Sequence, residues 1–451
     1  MGTKRNSPWI IRLAAGLIAG GLAGTCFASP TTESPEVIRQ RIVEALEPPA
    51  PESTSSPGQI PVPSPTATPE PYGVLVARIQ RETEALWGGE VGHTVTPRLL
   101  NRTEIGELID QLLEEELQRP SNIAQLETFA FLGLIPEHKG PRELYGKLLE
   151  GQVGGLYNPK DKSLYVVDTF NPRGFLGGVI LSHEITHAIQ DAAWDLEAYV
   201  QSVDDMDLRR ARLAAIEGDA TVTMIEWGRD NFTPAVLLEL TTLLGQQAAD
   251  LNAMPPALVQ DLLFPYLAGS TFCLALQAAK GPAWRQHLGA NPPASTEQIL
   301  HPAKYLANPP DLPKPIEPPS VPDGASEVLR NSMGEWGIRL LLTPPERFPR
   351  ISMLIVDPML NDATTTKAAA GWEADEFVFV RRDDAAEGEA AKLFLWHTLW
   401  ETETDALEFE EAFTSRAAGL GLERRDSTGP AEQGTWEITR EGKMVRVSIG
   451  R

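Results

Sequence analysis

Cysteine is almost missing from the 451-residue sequence, with Cys26 and Cys273 the only two. No disulfide framework can therefore hold the fold, and stability has to come from burial. Histidine is scarce as well, at seven residues, so two of them at ligand spacing carry information. Basic residues are outnumbered, 39 Lys and Arg against 62 Asp and Glu, which leaves a formal charge of −23. A polyanion of this kind is repelled by phosphate backbones and anionic lipid surfaces, which argues against nucleic acid as a partner. Beyond the N-terminus the sequence shows no run that reads as a membrane span of about 20 apolar residues. The remainder, 42% apolar and 22% charged, is ordinary globular composition, long enough for two to three domains at about 150 residues each.

The first stretch carries Lys4, Arg5 and Arg12 and then an apolar segment from Leu13 to Ala28. Its layout is that of a signal peptide, with Cys26-Phe27-Ala28 an acceptable cleavage site. The expectation is an extracytoplasmic protein with residues 1–28 removed. Lipidation at Cys26 or an uncleaved N-terminal anchor would give the chain its only membrane contact. Residues 48–71 are dominated by Pro, Ser and Thr and read as an extended tether. A second Pro-rich run over 308–323 marks a boundary. The expected organisation is a signal peptide (1–28), a linker (29–72), a mostly helical domain (73–307), a linker (308–323) and a small α+β module (324–451).

Between the tethers, residues 72–149 show mainly helical periodicity. Two β-rich runs, Val153 to Tyr157 and Ser163 to Val167, flank the turn residues Asn158 to Lys162 and predict a hairpin. Helices are expected from about Phe175 to Asp191 and Asp207 to Trp227, with more over 234–280. In the last module the pattern predicts a helix over Ser326 to Leu342, strands over 376–381 and 393–400, a helix over 404–417, and strands over 434–439 and 444–449. Trp372, Trp396 and Trp400 are expected in the core of that module rather than on a binding face. Arg209-Arg210 reads as a surface or ion-pairing pair, and Arg381 to Asp384 as a solvated turn.

The first of the two central helices contains His183-Glu184-Ile185-Thr186-His187. Histidines at i and i+4 share a helix face, so both imidazoles can reach one zinc ion. Glu184 lies about 100° round the helix, where a carboxylate can serve as a base without binding the metal. A catalytic zinc takes three protein ligands. The metzincin pattern is excluded, because Gln190 and Ala193 stand where its Gly and His would be. The next helix supplies Glu217 within a small, apolar stretch, where a carboxylate is costly unless it is paired or bound to metal. Asp219 is the competitor, and since i and i+2 point apart only one of the two can face the zinc.

The run His183 to Asp191, HEITHAIQD, is similar to the active-site helix of the thermolysin family, HELTHAVTD, and a downstream helix Glu makes the chain resemble a gluzincin. The likeness is close over 150–227. The segment Pro292 to Tyr305 also resembles one shared with exported bacterial proteins of HExxH type, which extends it to roughly 130–310 and more loosely into the last module. One departure stands out: the thermolysin family places an Asp four residues after the ligand Glu to orient a zinc histidine, and here that place holds Thr221. Asp191 could orient a ligand or cap the helix.

The resemblance implies an α+β, zincin-like fold and an exported zinc metalloendopeptidase acting on a protein or peptide. His183, His187 and Glu217 would hold Zn2+, and Glu184 would act as general base. A second oxyanion donor is expected from His301, Tyr305 or Tyr157, although Tyr157 and Tyr165 also suit hairpin packing. The hairpin edge could receive an extended peptide. The competing reading is a noncatalytic envelope protein that keeps the zinc while its C-terminal module binds a partner.

Overall fold

The computed structural model describes residues 71–117, 119–137, 154–168, 173–201, 204–231, 251–350, 362–382, 391–425 and 432–451. The leader expected over 1–28 and the tether up to residue 70 lie outside them. So do the helical expectations over 138–149 and 234–250 and most of the turn after Arg381.

Among the described residues the fold is α+β. The elements before the second Pro-rich run are α1 (Tyr72–Trp87), β1 (Arg98–Leu100), α2 (Arg102–Leu117), α3 (Pro120–Phe131), β2 (Gly155–Asn158), β3 (Ser163–Val167), α4 (Phe175–Trp194), α5 (Leu196–Gln201), α6 (Met206–Asn231), α7 (Pro256–Lys280), α8 (Trp284–Ala290), α9 (Thr296–Leu300) and α10 (Pro302–Leu306). After it come β4 (Ser326–Asn331), α11 (Gly334–Leu342), α12 (Ala363–Ala369), β5 (Trp372–Arg381), β6 (Lys392–Trp400), α13 (Glu403–Gly419), β7 (Glu423–Arg424), β8 (Thr435–Glu441) and β9 (Met444–Gly450).

The hairpin forms as its sequence predicts, with Tyr157 opposite Leu164. It gains a third strand that was too short to show periodicity: β1 runs parallel to β3 and gives the order β1-β3-β2. Among the described residues β2 is thus an edge strand, and it lies against α4. Helix α4 is buried on nearly every side from Leu176 to Asp191, which marks it as a core helix rather than an amphipathic surface one. It ends at Asp195, whose left-handed φ of 52° turns its N–H back to the carbonyl of Asp191.

The 26-residue α6 and the 25-residue α7 cross with their backbones in contact. A Cβ on Gly218 would sit 2.2 Å from the carbonyl carbon of Gly269, and one on Gly269 would sit 2.1 Å from the carbonyl oxygen of Ala214. Only glycine permits this approach. The stretch Pro256–Ala290 is apolar and long enough to cross a membrane, but it is mostly buried inside the protein, as a core helix is.

The second sheet has the order β4-β5-β6-β9-β8-β7, antiparallel except for the β7–β8 pair. Helix α13 covers it, with Trp396 edge-on to Phe409 at 5.3 Å and Trp400 stacked on Phe409 at 4.8 Å. Trp372, Trp396 and Trp400 are all buried, so they are core and not a binding face. The helix expected over Ser326 to Leu342 is two elements. Ser326 to Asn331 pairs with β5, and the chain breaks at Gly334, whose φ is +67° and where a Cβ would overlap the carboxylate of Asp207.

That break joins the sheet to the helical part. Asp375 on β5 accepts hydrogen bonds from Met333 N, Gly334 N, Trp372 Nε1 and Trp396 Nε1. Asp207, at the start of α6, accepts from Thr296 N and Oγ1, and Thr296 Oγ1 in turn accepts from Trp336 N. Arg210 is a buried ion-pairing residue, its Nε 2.9 Å from Asp261 on α7. One continuous apolar cluster runs from α2 and α3 through α6 and α7 to α11, α13 and β9.

Gly218→Ala is expected to destabilise the protein by more than about 3 kcal/mol or to prevent folding, since backbone atoms cannot move aside. Gly106→Ala, on a helix where a Cβ meets nothing within 4 Å, is expected to stabilise it by about 0.5–1 kcal/mol. Denaturant unfolding of the two variants checks both.

Candidate metal centre

Helix α4 places His183 and His187 one turn apart, and α6 brings Glu217 against them. The two Nε2 atoms are 3.1 Å apart, and Glu217 Oε2 lies 3.3 Å from that of His183 and 3.4 Å from that of His187. The three side chains are 4%, 2% and 0% exposed. Two ligand atoms about 2.05 Å from a tetrahedral zinc ion stand about 3.3 Å apart, which is the spacing of all three pairs.

Electrostatics make the same demand. Neither oxygen of Glu217 has a hydrogen-bond donor of good geometry among the described residues, and a buried carboxylate left so needs a cation. Burial opposes its ionisation, but His187 and His183 beside it hold its pKa well below the usual carboxylate range. Burial likewise opposes a charged His187, and the Glu217 carboxylate overrides it and raises that pKa. The chemistry of this donor set, two imidazole nitrogens and one carboxylate, fits zinc. The buried His183–His187–Glu217 group can therefore hold a metal ion.

Glu184 stands apart from the three. Its Oε2 accepts the backbone N–H of Tyr157 at 2.7 Å, so edge strand β2 fixes the carboxylate. Gly155 on the same strand is packed so close that a Cβ there would fall 3.1 Å from Glu184 Cγ. Burial raises the Glu184 carboxyl above its ordinary range, against the lowering influence of the two imidazoles. A base with a raised pKa that is held off the ligand cluster is suited to proton transfer.

The remaining expected residues have other partners. Asp219 is not a ligand: its carboxylate accepts from Arg285 Nε at 2.7 Å, Trp87 Nε1 at 2.7 Å and Gln190 Nε2 at 2.8 Å. Asp191 does not orient a histidine. Its Oδ1 caps α5 through Leu196 N, and its Oδ2 takes the hydroxyl of Tyr157 and the ammonium of Lys162. His301 Nε2 is 3.0 Å from Glu335, while Tyr305 donates to the carbonyl of Asn291 and meets Phe272 edge-on. Among the described residues neither is brought to the cluster by a hydrogen bond, ion pair or ring contact, because α9 packs on the first turn of α6, where Thr296 meets Asp207, and on α11, while α10 packs on α7.

Thr221 Oγ1 and His183 Nδ1 are both buried without a hydrogen-bond partner among the described residues. The histidine support that the thermolysin family draws from that helix position is thus not made here. His187 has it instead, with Nδ1 2.8 Å from Gln190 Oε1. Reading the sequence missed Gln190, Trp87 and Arg285, along with Tyr266 on α7, whose ring lies 6.3 Å from that of His183. Only Gln190 had a local signal, as a polar residue one turn past the second histidine on a buried helix.

Residues 323–450 match a family described as a domain of unknown function, DUF8575. This segment coincides with the second sheet and its helices and does not include the metal centre. No curated protein matches the chain. Among solved structures, the chain is similar to one from Chloroflexus aurantiacus described as "a putative hydrolase with a novel fold". The identity is 16%, 64% of this chain and 96% of that chain are covered, and the TM-score is 0.36.

Glu217→Ala is expected to weaken zinc binding by more than the roughly 10–100-fold that loss of an outer hydrogen-bond partner costs. Metal analysis of the purified protein beside wild type checks this, and retention of one zinc per chain would move the third ligand elsewhere.

Proposed function

We propose that the chain is an exported zinc-dependent endopeptidase that cleaves peptide bonds in a protein or peptide. The observation that carries this reading is the pairing of a three-ligand cluster at tetrahedral spacing with a second acidic group, Glu184, held beside it by a backbone donor. When bound, a zinc ion supplies Lewis acidity toward water and toward a carbonyl oxygen.

The chain's own residues supply the rest. His183, His187 and Glu217 present two neutral donors and one anion, which keeps a divalent ion net positive. Glu184 takes a proton from water at one carboxylate oxygen while the other stays bonded to Tyr157 N, and it then passes the proton to the leaving amine. Its raised pKa makes it the stronger base toward the water it serves. Edge strand β2 lies over Glu184, so a peptide laid along this strand would bring its carbonyl to the base. Beside the strand a cleft of about 360 Å³, lined among others by His93, Arg98, Tyr157, Lys162 and Ala188, offers room for a side chain.

Glu184→Gln is expected to keep the metal and the fold while lowering cleavage of a casein or peptide substrate by about 10²–10⁴-fold. Chelation of the wild type is expected to abolish cleavage, and added zinc to restore it. A folded wild type that binds zinc stoichiometrically and turns over no peptide would favour instead a noncatalytic zinc protein whose C-terminal sheet binds a partner.

A further inference from the structure

The side-chain amide of Gln190 can face only one way. Its Nε2 stands 2.9 Å from the carbonyl oxygen of Ile216 and 2.8 Å from Asp219 Oδ2, both of which can only accept. An amide oxygen in that place would meet two acceptors. Oε1 therefore points to His187, and at 2.8 Å it must accept from Nδ1–H. A neutral imidazole with its proton on Nδ1 has its lone pair on Nε2, the atom that faces Glu217 and His183.

Asp219 is in turn immobile. Its two oxygens take three donors from three different elements: Trp87 at the end of α1, Gln190 on α4 and Arg285 on α8. Arg285 is buried and also donates to the carbonyls of Leu86 and Trp87 and to Thr223 Oγ1. Its guanidinium lies 4.5 Å from the ring centre of Trp284. No donor of the set is left to choose another partner. His183 has nothing comparable, since its Nδ1 is buried without a hydrogen-bond partner among the described residues.

We infer that Gln190, clamped by the Asp219–Arg285 pair and by Trp87, is a positioning residue that locks His187 in the Nδ1–H tautomer and makes it the fixed ligand of the pair, leaving His183 the adjustable one. The inference rests on the reading of the cluster as a zinc site. It extends that site to α1 and α8, two elements that carry no ligand.

The test compares zinc affinity, by competition with a chromogenic chelator, in wild type, Gln190→Leu, Asp219→Asn and Asp191→Asn, with circular dichroism to confirm that each is folded without metal. Gln190→Leu is expected to bind zinc about 10–100-fold more weakly, and Asp219→Asn to weaken it in the same sense. Asp191→Asn, whose carboxylate caps α5, is expected to stay within about twofold of wild type. Long-range proton–nitrogen NMR of the zinc-loaded wild type is expected to show a slowly exchanging proton on His187 Nδ1 and a fast one on His183 Nδ1. Unchanged affinity in folded Gln190→Leu, or rapid exchange at His187 Nδ1, overturns the inference while the zinc site stands. A folded wild type that takes up no zinc overturns the metal reading itself. Should Gln190→Leu fail to fold, the wild-type spectrum decides alone.

Discussion

A carboxylate with no exposed surface, set between two imidazole nitrogens, is the constraint on which the interior depends. Glu217 can be kept charged only while positive charge or a metal stands beside it. That requirement dictates how α4 and α6 approach each other. It also explains the glycine one residue further on, because α6 can bring Glu217 to this depth only if α7 closes behind it, and Gly218 against Gly269 is what allows the two backbones to meet. The ligand and the helix crossing are neighbouring consequences of the same two-residue sequence.

Around this centre the charged groups are graded by function. Glu184 is held by a single backbone donor and keeps a free oxygen, as the proposed role of proton carrier requires. Asp219, two residues past the ligand, takes three donors and has none of that freedom. Asp191 is likewise saturated, but its donors come from the hairpin and from the start of α5, so it fixes strand to helix rather than ligand to metal. Three acids on two helices thus have three separate tasks, set by what donates to each.

Spacing made the first part of this legible in the sequence. His183, Glu184 and His187 announce themselves through helical geometry, and Glu217 through the cost of a lone acid in an apolar helix. The hairpin and the two central helices were likewise written in periodicity and turn chemistry. The support of His187 was not, because its parts are distant: Arg285 is 66 residues from Asp219 and Trp87 is 132. Neither side chain has a spacing rule that would pair it with an acid so far away. His301 and Tyr305 illustrate the converse, since a chemically suitable residue in a suggestive segment is directed by tertiary packing, here toward Glu335 and Asn291. The split of 326–342 into strand and helix turned on Gly334, whose backbone is shaped by Asp207, more than a hundred residues earlier.

Helix α6 bears on more than its own residues. At about 1.5 Å per residue its 26 residues make a rod of roughly 39 Å. Its first turns are anchored to the C-terminal segment, where Met206 N donates to Asn331 Oδ1 and Arg210 Nη1 to the carbonyl of Met333. Its middle carries Glu217 and Asp219, and near its end Trp227 Nε1 is bonded to Glu82 of α1. A stiff element fastened at both ends cannot shift at one without being felt at the centre. The segment over 323–450, although it forms a recognisable unit by sequence, is therefore a poor candidate for exchange or removal: grafting another domain in its place would unseat the near end of the rod that delivers Glu217 to the candidate metal centre.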